Sequence, residues 1–282
     1  MTTQTQPSGK VATEQRPAAL APTIVIIGNG HVGRTMRTIF PDAVVYDKHQ
    51  PEHADQSAVL GAELALVCVP TPQKQAVIDG ELSDGGADIS AVREVCGWLD
   101  AAVICIKSTV PPGTTDALRA ETGKRIVFSP EYIGEGPTWD AESQAAPWPY
   151  MIVGGPQPDA VPVVRAFRAT LGTEINYRLT DARTAELVKY MENVWLAQQV
   201  TFANEFYDIA RAVGADWDQA SRLWALDPRV SATHTLVVER ERGYGGKCLP
   251  KDLAAIIACA EEAGYEPTFL RAMQDANARF RA

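Results

Sequence analysis

The chain has 282 residues, which is enough for two domains, and 46% of them are hydrophobic, which is enough to build their cores. The formal net charge of -9 argues against a nucleic-acid partner, because most of this surface would repel a phosphate backbone. The longest purely aliphatic run, Ile24 to Ile27, is far too short to span a membrane.

A polar stretch opens the chain. Residues 1–22 are rich in Thr, Gln, Pro and Ala and lack the apolar core of a signal peptide, so we expect a disordered tail. The five cysteines include no CxxC pair and are odd in number, which predicts reduced thiols in a cytoplasmic protein.

A glycine-rich turn follows the first predicted strand. Thr23 to Ile27 is typical of a strand buried on both faces of a parallel sheet, and it leads directly into Gly28-Asn29-Gly30-His31-Val32-Gly33. A helix from Arg34 to Phe40 and a strand from Ala43 to Tyr46 come next, and Asp47 ends that strand. This order is typical of dinucleotide binding, because the glycines admit a pyrophosphate and the acid accepts from the adenosine ribose. The alternative is a glycine-rich turn without a ligand.

The identity of the cofactor depends on two charged neighbours. Asp47 would repel the 2′-phosphate of NADP, so NAD is expected, although Lys48 beside it weakens that preference. The next buried strand, Leu64 to Val69, ends in Pro70 and Thr71. Because parallel strands present ligands at their carboxyl ends, Thr71 is expected to touch the cofactor. Thr71 as a cap of the following segment is the alternative.

The polar stretch from Gln73 to Ala87 is interpreted as a mobile connection before a helix from Ile89 to Leu99. A further strand, Ala102 to Ile106, leads to Ser108 and Thr109, which we expect to contact cofactor or water. The hydroxyls that follow, at Thr114 and Thr115, are interpreted as a helix cap.

Two carboxylates follow the strand from Arg125 to Phe128. Glu131 and Glu135 are four residues apart in the next loop, so they are candidates for a general base. Solvated loop acids are the alternative. Strands and helices then alternate to about Tyr177, which predicts a doubly wound parallel α/β sheet over residues 23–178.

The pattern then becomes helical, which predicts an all-helical domain over residues 179–282. From Thr180 to Val213 there is no glycine or proline, and apolar residues recur every three or four positions, so one long helix is expected. Lys189 and Asn193 are four residues apart on it and can reach the same ligand atom. A surface pair between Glu186 and Lys189 is the alternative.

The candidate active-site loop runs from Gly243 to Asp252 and contains Cys248, two lysines and one carboxylate. Its glycines allow close approach to a ligand, and a thiol beside lysines at a helix N-terminus favours the thiolate. A buried, inert cysteine in a turn is the alternative. Upstream, Arg229 is a candidate substrate contact or an ordinary surface arginine.

Six motifs, in the same order, resemble those of the UDP-glucose 6-dehydrogenase family of nucleotide-sugar dehydrogenases. They extend over almost all of residues 23–282. The motifs are Gly28 to Gly33 with Asp47, Val67 to Pro72, Lys107 to Gly113, Ser129 to Gly136, Glu186 to Tyr190 with Asn193, and Gly243 to Asp252.

The resemblance implies an enzyme that oxidises a primary alcohol to a carboxylate, with two NAD molecules and without a metal. A water held by Thr109 and Asp252 would accept the alcohol proton. Cys248 would then add to the aldehyde, and the resulting thiohemiacetal would become a thioester. Covalent attachment of the aldehyde explains how one site could perform both oxidations.

Further roles carried over from the family fall on the same segments. Lys189 and Asn193 would stabilise oxyanions, and Glu131 would activate the hydrolytic water. The long helix resembles the family's dimer helix, so a homodimer is expected. The implied cofactor contacts are Gly28, Asn29, Gly30, His31, Val32, Gly33, Asp47, Lys48, Val69, Pro70, Thr71, Ser108, Thr109, Glu135 and Lys251. The implied substrate contacts are Glu131, Tyr132, Ile133, Lys189, Asn193, Arg229, Tyr244, Gly245 and Cys248.

The chain also departs from the family. Family members continue into a second Rossmann-like domain that helps to hold the nucleotide, so we expect a short form, and the substrate is either a nucleotide sugar or a related nucleotide. A two-electron β-hydroxyacid dehydrogenase shares the spacing of Lys189 and Asn193 but has no use for Cys248. A non-catalytic NAD-binding protein is the third alternative.

Overall fold

The computed structural model of the chain describes residues 23–78, 81–132, 149–231 and 233–282. The predicted tail and two expected ligand contacts, Ile133 and Glu135, lie outside these ranges. The strands are β1 (Ile24–Ile27), β2 (Val44–Tyr46), β3 (Ala62–Val67), β4 (Gln73–Ile78), β5 (Glu81–Ala87), β6 (Ala101–Ile106), β7 (Ile126–Phe128), β8 (Tyr150–Gly154) and β9 (Asn176–Thr180). The helices are α1 (His31–Ile39), α2 (Ser90–Trp98), α3 (Thr114–Thr122), α4 (Gln157–Leu171), α5 (Ala182–Val213), α6 (Trp217–Trp224), α7 (Leu249–Glu262) and α8 (Thr268–Arg281).

Seven strands form one sheet in the order β2-β1-β3-β6-β7-β8-β9. The first five strands in this order, β2, β1, β3, β6 and β7, are parallel. Helices cover both faces of the sheet, which confirms the predicted doubly wound α/β fold. The prediction of an entirely parallel sheet is wrong at one step, because β8 pairs with β7 in the antiparallel sense, with Gly154 opposite Phe128. Strand alternation in a sequence does not fix the direction of strands near an edge, and mixed sheets of this kind are common.

Two apolar cores lie on the two faces of this sheet. Met36 of α1 and Phe167 of α4 pack on one face, while Val92 of α2 and Leu118 of α3 pack on the other. Because both faces are covered, the ends of the strands are where polar chemistry can reach solvent or a ligand.

The stretch interpreted as a connection contains two paired strands, so the expectation that it lacks regular structure is wrong. Strands β4 and β5 pair in the antiparallel sense and pack against α7, which lies far along the chain. At the base of the hairpin, Ala87 joins a small buried cluster with Tyr190 of α5 and Ala255 of α7. This contact between distant segments, and not local β propensity, supplies the stabilisation, which is why the sequence pattern did not indicate strands.

The long helix α5 has 32 residues, as the periodicity predicted. It begins at Asp181, whose side chain accepts from the amide of Thr184, and ends at Gly214 in the left-handed conformation. A Cβ on Gly154 would lie 2.5 Å from that of Ala185, so the glycine at the end of β8 allows α5 to cross the sheet closely. None of the helices in the described ranges is long and apolar enough to cross a membrane.

Candidate active site

The candidate site lies where the parallel strands end. Because β1, β3, β6 and β7 are parallel neighbours, the residues after them meet along one edge of the sheet. These residues are Gly28, Thr71, Thr109 and Glu131, which come from four separate motifs in the sequence. Helix α5 contacts β7 and β8 beside this edge.

The glycines of the first turn differ in what constrains them. Gly28 has φ 96°, and a Cβ there would lie 2.7 Å from the carbonyl oxygen of Cys68. On Gly33, a Cβ would be 1.9 Å from the carbonyl oxygen of Gly28, so this glycine allows α1 to pack. Around Gly30, a Cβ would meet nothing within 4 Å. The protein therefore does not require glycine at position 30, whereas a phosphate group approaching the N-terminus of α1 would.

Asp47 lies beside this turn. Its carboxylate accepts from the backbone amides of Asn29, at 2.8 Å, and His49, at 2.9 Å. Lys48 pairs with Glu94 at 3.1 Å, with both side chains about half exposed. A cavity opens here, at the ends of β1 and β2. Its lining includes Ile27, Gly28, Tyr46, Asp47, Lys48, Val69, Pro70, Val95 and Trp98.

The hydroxyls after β3 and β6 are held at the same edge. Thr71 is buried, and so is Ser108, whose hydroxyl donates to the carbonyl oxygen of Val69 at 2.6 Å. Ser108 thus joins the ends of two strands, while Thr109, the next residue, remains partly accessible. His31 and Val32 form the first turn of α1 beside them.

Lys189 and Glu131 meet at the end of β7. The ammonium nitrogen of Lys189 lies 3.8 Å from the Glu131 carboxylate, and both side chains are at most 10% exposed. The same nitrogen lies 5.7 Å from the centre of the Tyr132 ring, so a cation, a carboxylate and a phenol are grouped together. A cation in this setting can stabilise an oxyanion, and a carboxylate can accept a proton.

Sequence reasoning assigned no role to Lys107, which lies under this pair. Its ammonium donates to Ser129 Oγ at 3.2 Å and to the carbonyl oxygen of Pro130 at 3.1 Å, and burial lowers its pKa. It therefore holds the backbone that presents Glu131. The available signal was a lysine placed directly after an entirely apolar strand.

A second polar pair joins the two helices of the site. Asn193 Nδ2 donates to Asp252 Oδ2 at 2.5 Å, and Asp252 has no exposed surface. The other carboxylate oxygen accepts from the ammonium of Lys251. Since Asn193 lies one turn after Lys189, a continuous row of polar groups links Glu131 to Asp252.

Cys248 is the N-cap residue of α7 and is partly exposed. Its carbonyl oxygen accepts from the amide of Asp252 at 2.9 Å, so the thiol lies one helical turn from that carboxylate. By contrast, burial raises the pKa of Cys96 to about 12 and that of Cys105 to about 11. Burial also raises the pKa of Cys68 and Cys259. Cys259 is partly exposed, as Cys248 is, but it lies inside α7, so the position at the helix N-terminus favours Cys248 as the reactive thiol.

The interpretation of Glu186 as part of a surface pair is wrong. Its side chain is fully buried, and it accepts from the amides of Gly113 at 2.5 Å and Thr115 at 2.8 Å. It therefore caps the N-terminus of α3 from the long helix, and burial raises its pKa to about 7. Helical periodicity placed Glu186 near Lys189 but could not indicate which neighbour covers it.

Three residues that are expected to contact the substrate make contacts within the protein. Arg229 is largely exposed and pairs with Asp227. The Tyr244 side chain is buried in the helical core with Leu253 and Met273. At Gly245, a Cβ would lie 2.8 Å from the guanidinium of Arg281. Their roles as substrate contacts stay predictions.

The profile of the UDP-glucose/GDP-mannose dehydrogenase family, NAD binding domain, matches residues 44–167, and that of the family's central domain matches residues 183–279. The chain belongs to this family. The predicted family and the predicted cofactor, NAD, are thereby confirmed.

Individual members of this dehydrogenase family are similar to the chain. UDP-glucose 6-dehydrogenase of Pseudomonas aeruginosa is 32% identical over 235 residues, which cover 77% of this chain and 49% of that protein. A UDP-glucose dehydrogenase structure from Pyrobaculum islandicum is 23% identical, with a TM-score of 0.76 over 95% of this chain and 70% of that one. A UDP-D-ManNAc dehydrogenase structure from Pyrococcus horikoshii is 26% identical, with a TM-score of 0.74 over 92% and 68%. The chain spans about half the length of the first curated relatives it matches.

Proposed function

We propose that the protein is an NAD-dependent dehydrogenase that oxidises a primary alcohol of a nucleotide sugar, or of a related nucleotide, to a carboxylate. One observation carries this proposal. The partly exposed thiol of Cys248 lies one helical turn from the buried pair of Asn193 and Asp252, on a helix that packs against α5, which in turn contacts β7 and β8 of the nucleotide-binding sheet. A nucleophile, a proton acceptor and oxyanion donors are thereby brought together.

The first oxidation requires removal of the alcohol proton. In our proposal, Asp252 and Thr109 hold a water that accepts this proton, and the ammonium of Lys251 contacts the Asp252 carboxylate. NAD, when bound, accepts a hydride in each of the two oxidations. The turn from Gly28 to Gly33 and Asp47 would hold it, as the open space at Gly30 supports.

The second oxidation uses the thiol. The Cys248 thiolate adds to the carbonyl carbon of the aldehyde and forms a thiohemiacetal, whose oxygen accepts hydrogen bonds from Lys189 and Asn193. Oxidation of this adduct leaves a thioester. Glu131 takes a proton from a water that attacks the thioester carbon, which releases the carboxylate and restores the thiol.

The alternative of a two-electron β-hydroxyacid dehydrogenase gains no specific support. Lys189 and Asn193 suit both reactions, but that reaction has no use for a thiol, and Cys248 is partly exposed at a helix N-terminus. The buried carboxylate of Asp252 accepts hydrogen bonds from the Lys251 ammonium and the Asn193 amide. Such an arrangement beside a thiol argues equally against a protein that only binds NAD.

The experiment that tests the proposal counts electrons. The purified protein is incubated with NAD and a panel of UDP-glucose, GDP-mannose, their N-acetylated analogues and free nucleosides, and NADH and acid are both quantified. We expect two NADH for each acid formed, and Cys248→Ser should lose acid formation while Cys259→Ser retains it. One NADH per product, or a normal rate of acid formation in Cys248→Ser, would contradict the proposed function.

The same proposal includes a homodimer formed through α5. Seven apolar residues between 42% and 72% exposed are spaced along one face of this helix at intervals of three, four or seven residues. A row of this length, about 39 Å at 1.5 Å per residue, exceeds the scattered apolar exposure of an ordinary surface. The residues are Leu187, Met191, Trp195, Phe202, Phe206, Ile209 and Val213.

A further inference from the structure

A polar clamp formed by Arg242, Asn204 and Asp208 holds the start of the cysteine loop. The sequence pattern assigned no role to any of these three residues. The loop from Gly243 to Lys247 contains three glycines, of which Gly243 and Gly246 have positive φ. Such a backbone does not fix its own path, so the position of the residue that follows it depends on how the loop is anchored.

Arg242 anchors the loop on the long helix. Its guanidinium donates to Asn204 Oδ1 at 2.6 Å and to the Asn204 carbonyl oxygen at 2.9 Å. Two more bonds, of 3.0 Å and 2.9 Å, reach the two carboxylate oxygens of Asp208. The guanidinium carbon also lies 4.6 Å from the centre of the Tyr207 ring, and the side chain is only 15% exposed. This planar, multiply bonded arrangement suits arginine and not lysine.

Asn204 joins this anchor to the loop backbone. Asn204 is 2% exposed, and its side-chain oxygen, Oδ1, also accepts from the amide of Gly243 at 3.1 Å. The other half of the Asn204 amide donates to the carbonyl oxygen of Val200 at 2.9 Å, which fixes its orientation. Movement of Arg242 therefore removes one of two donors from a buried oxygen that also holds Gly243.

The next residue is held from the opposite side. Asn277 of α8 accepts from the amide of Tyr244 at 2.7 Å and donates to its carbonyl oxygen at 3.1 Å. The Tyr244 ring packs against Leu253, which is on the same helix that Cys248 caps. The loop is thus fastened at Gly243 and Tyr244, and the fastening continues into the helix that presents the thiol.

We propose that Arg242 is a positioning residue for Cys248: through Asn204 and Asp208 it fixes the loop so that the thiol faces the pair of Asn193 and Asp252. This inference rests on the proposed function in one respect, since a fixed thiol matters for turnover only if Cys248 is the nucleophile. A misplacement of about 1 Å is enough to reduce turnover roughly 100-fold in a site that depends on orientation.

The test uses the full chain and compares Arg242→Ala and Arg242→Lys with Arg240→Ala, an exposed arginine two residues upstream. Hydrogen exchange of the peptide that covers residues 243–248 is measured without substrate. In Arg242→Ala we expect this exchange to accelerate roughly tenfold or more, while the central turns of α5 keep their protection. In Arg242→Ala, the kcat for acid formation should fall while the KM for NAD stays unchanged. The kcat of Arg242→Lys should lie between those of Arg242→Ala and Arg240→Ala.

Two results would overturn the proposal. One is exchange of residues 243–248 in Arg242→Ala that equals that of Arg240→Ala; the other is an equal kcat for these two variants. If Arg242→Ala does not fold, Asp208→Asn removes the paired charge at a half-exposed position and should give the same changes at smaller size. If the unmodified protein makes no acid from any nucleotide sugar, the proposed function fails, while the exchange measurement still decides whether the clamp exists.

Discussion

The side-chain amide of Asn193 donates to the buried carboxylate of Asp252 at 2.5 Å, across 59 positions of the sequence. This contact ties the long helix α5 to α7, the helix that Cys248 caps. Loss of either hydrogen-bond donor would leave the buried carboxylate of Asp252 incompletely satisfied, which destabilises the folded protein. The arrangement of α5 and α7 around the thiol therefore depends on this hydrogen bond.

Substitution of Asp252 by Asn preserves the shape of this side chain but removes its charge. We expect kcat to fall about 10²-fold to 10⁴-fold, since the water that accepts the alcohol proton loses the carboxylate that holds it. The affinity for NAD, measured by calorimetry, should change by less than kcat, because no described contact joins Asp252 to the glycine-rich turn and Asp252 touches one expected cofactor contact, Lys251. Asp275→Asn, an exposed carboxylate on α8, is the matched control. Equal kcat values for the two variants would exclude a role for Asp252 in proton transfer.

The buried Glu186 makes stability depend on pH. Its folded pKa of about 7 lies above its ordinary value of 4.5, so between these values the folded state binds the proton more tightly. Its contribution to stability is therefore present below about pH 4.5 and is lost as the pH rises through about 7. The shift corresponds to a loss of about 3 kcal/mol, and it already includes the opposing effect of the amides of Gly113 and Thr115, which lower the pKa.

The measurement is urea denaturation at several pH values between about 5 and about 8, for the unmodified protein and Glu186→Gln. Because glutamine does not titrate, the free energy of unfolding of Glu186→Gln should depend less steeply on pH in this range. Parallel curves for the two proteins would show that Glu186 is ionised throughout and that the amide donors dominate its pKa.

Gly30 separates cofactor binding from folding. We expect Gly30→Ala to fold normally, since its added methyl meets no protein atom within 4 Å, but to weaken NAD binding roughly tenfold or more. Gly97→Ala adds a methyl to α2 in equally open space and should bind NAD normally. Calorimetric titration of NAD decides the matter, and normal affinity in Gly30→Ala would indicate that the pyrophosphate does not approach this turn.

Trp195 is central to the exposed apolar row on α5 and is 55% exposed in the single chain. We expect Trp195→Glu to shift the protein from dimer to monomer, with the dimer Kd raised about 100-fold, because a charge would be buried without a partner. Leu60→Glu, at a 49% exposed position outside this row, is the control and should remain dimeric. Sedimentation velocity that finds the unmodified protein monomeric at high concentration would remove the proposed dimer.

The parts of the site that could be predicted are those that local pattern determines. The order of strand, glycine-rich turn, helix and strand indicated the nucleotide-binding edge, and the spacing of Lys189 and Asn193 placed both on one face of α5. The position of Cys248 at a helix N-terminus followed from Pro250, which favours the first helical turn.

The parts that were missed depend on contacts between distant segments. Glu186 is buried only because the loop before α3 covers it, and Lys107 is held by the backbone after β7. The clamp at Arg242 fastens the cysteine loop to α5, and no periodicity in a charged stretch indicates which arginine is enclosed. Burial of a polar side chain by another segment is a property of the tertiary fold and leaves no mark on its own neighbours in sequence.

The hairpin of β4 and β5 belongs by chain order to the first half of the protein but rests on α7, in the second. A fragment cut at residue 178 would leave Ala87 without Tyr190 and Ala255, which cover it in the intact chain. Limited proteolysis or truncation at the apparent domain boundary would therefore damage both pieces. Each half of the polypeptide thus completes the packing of the other.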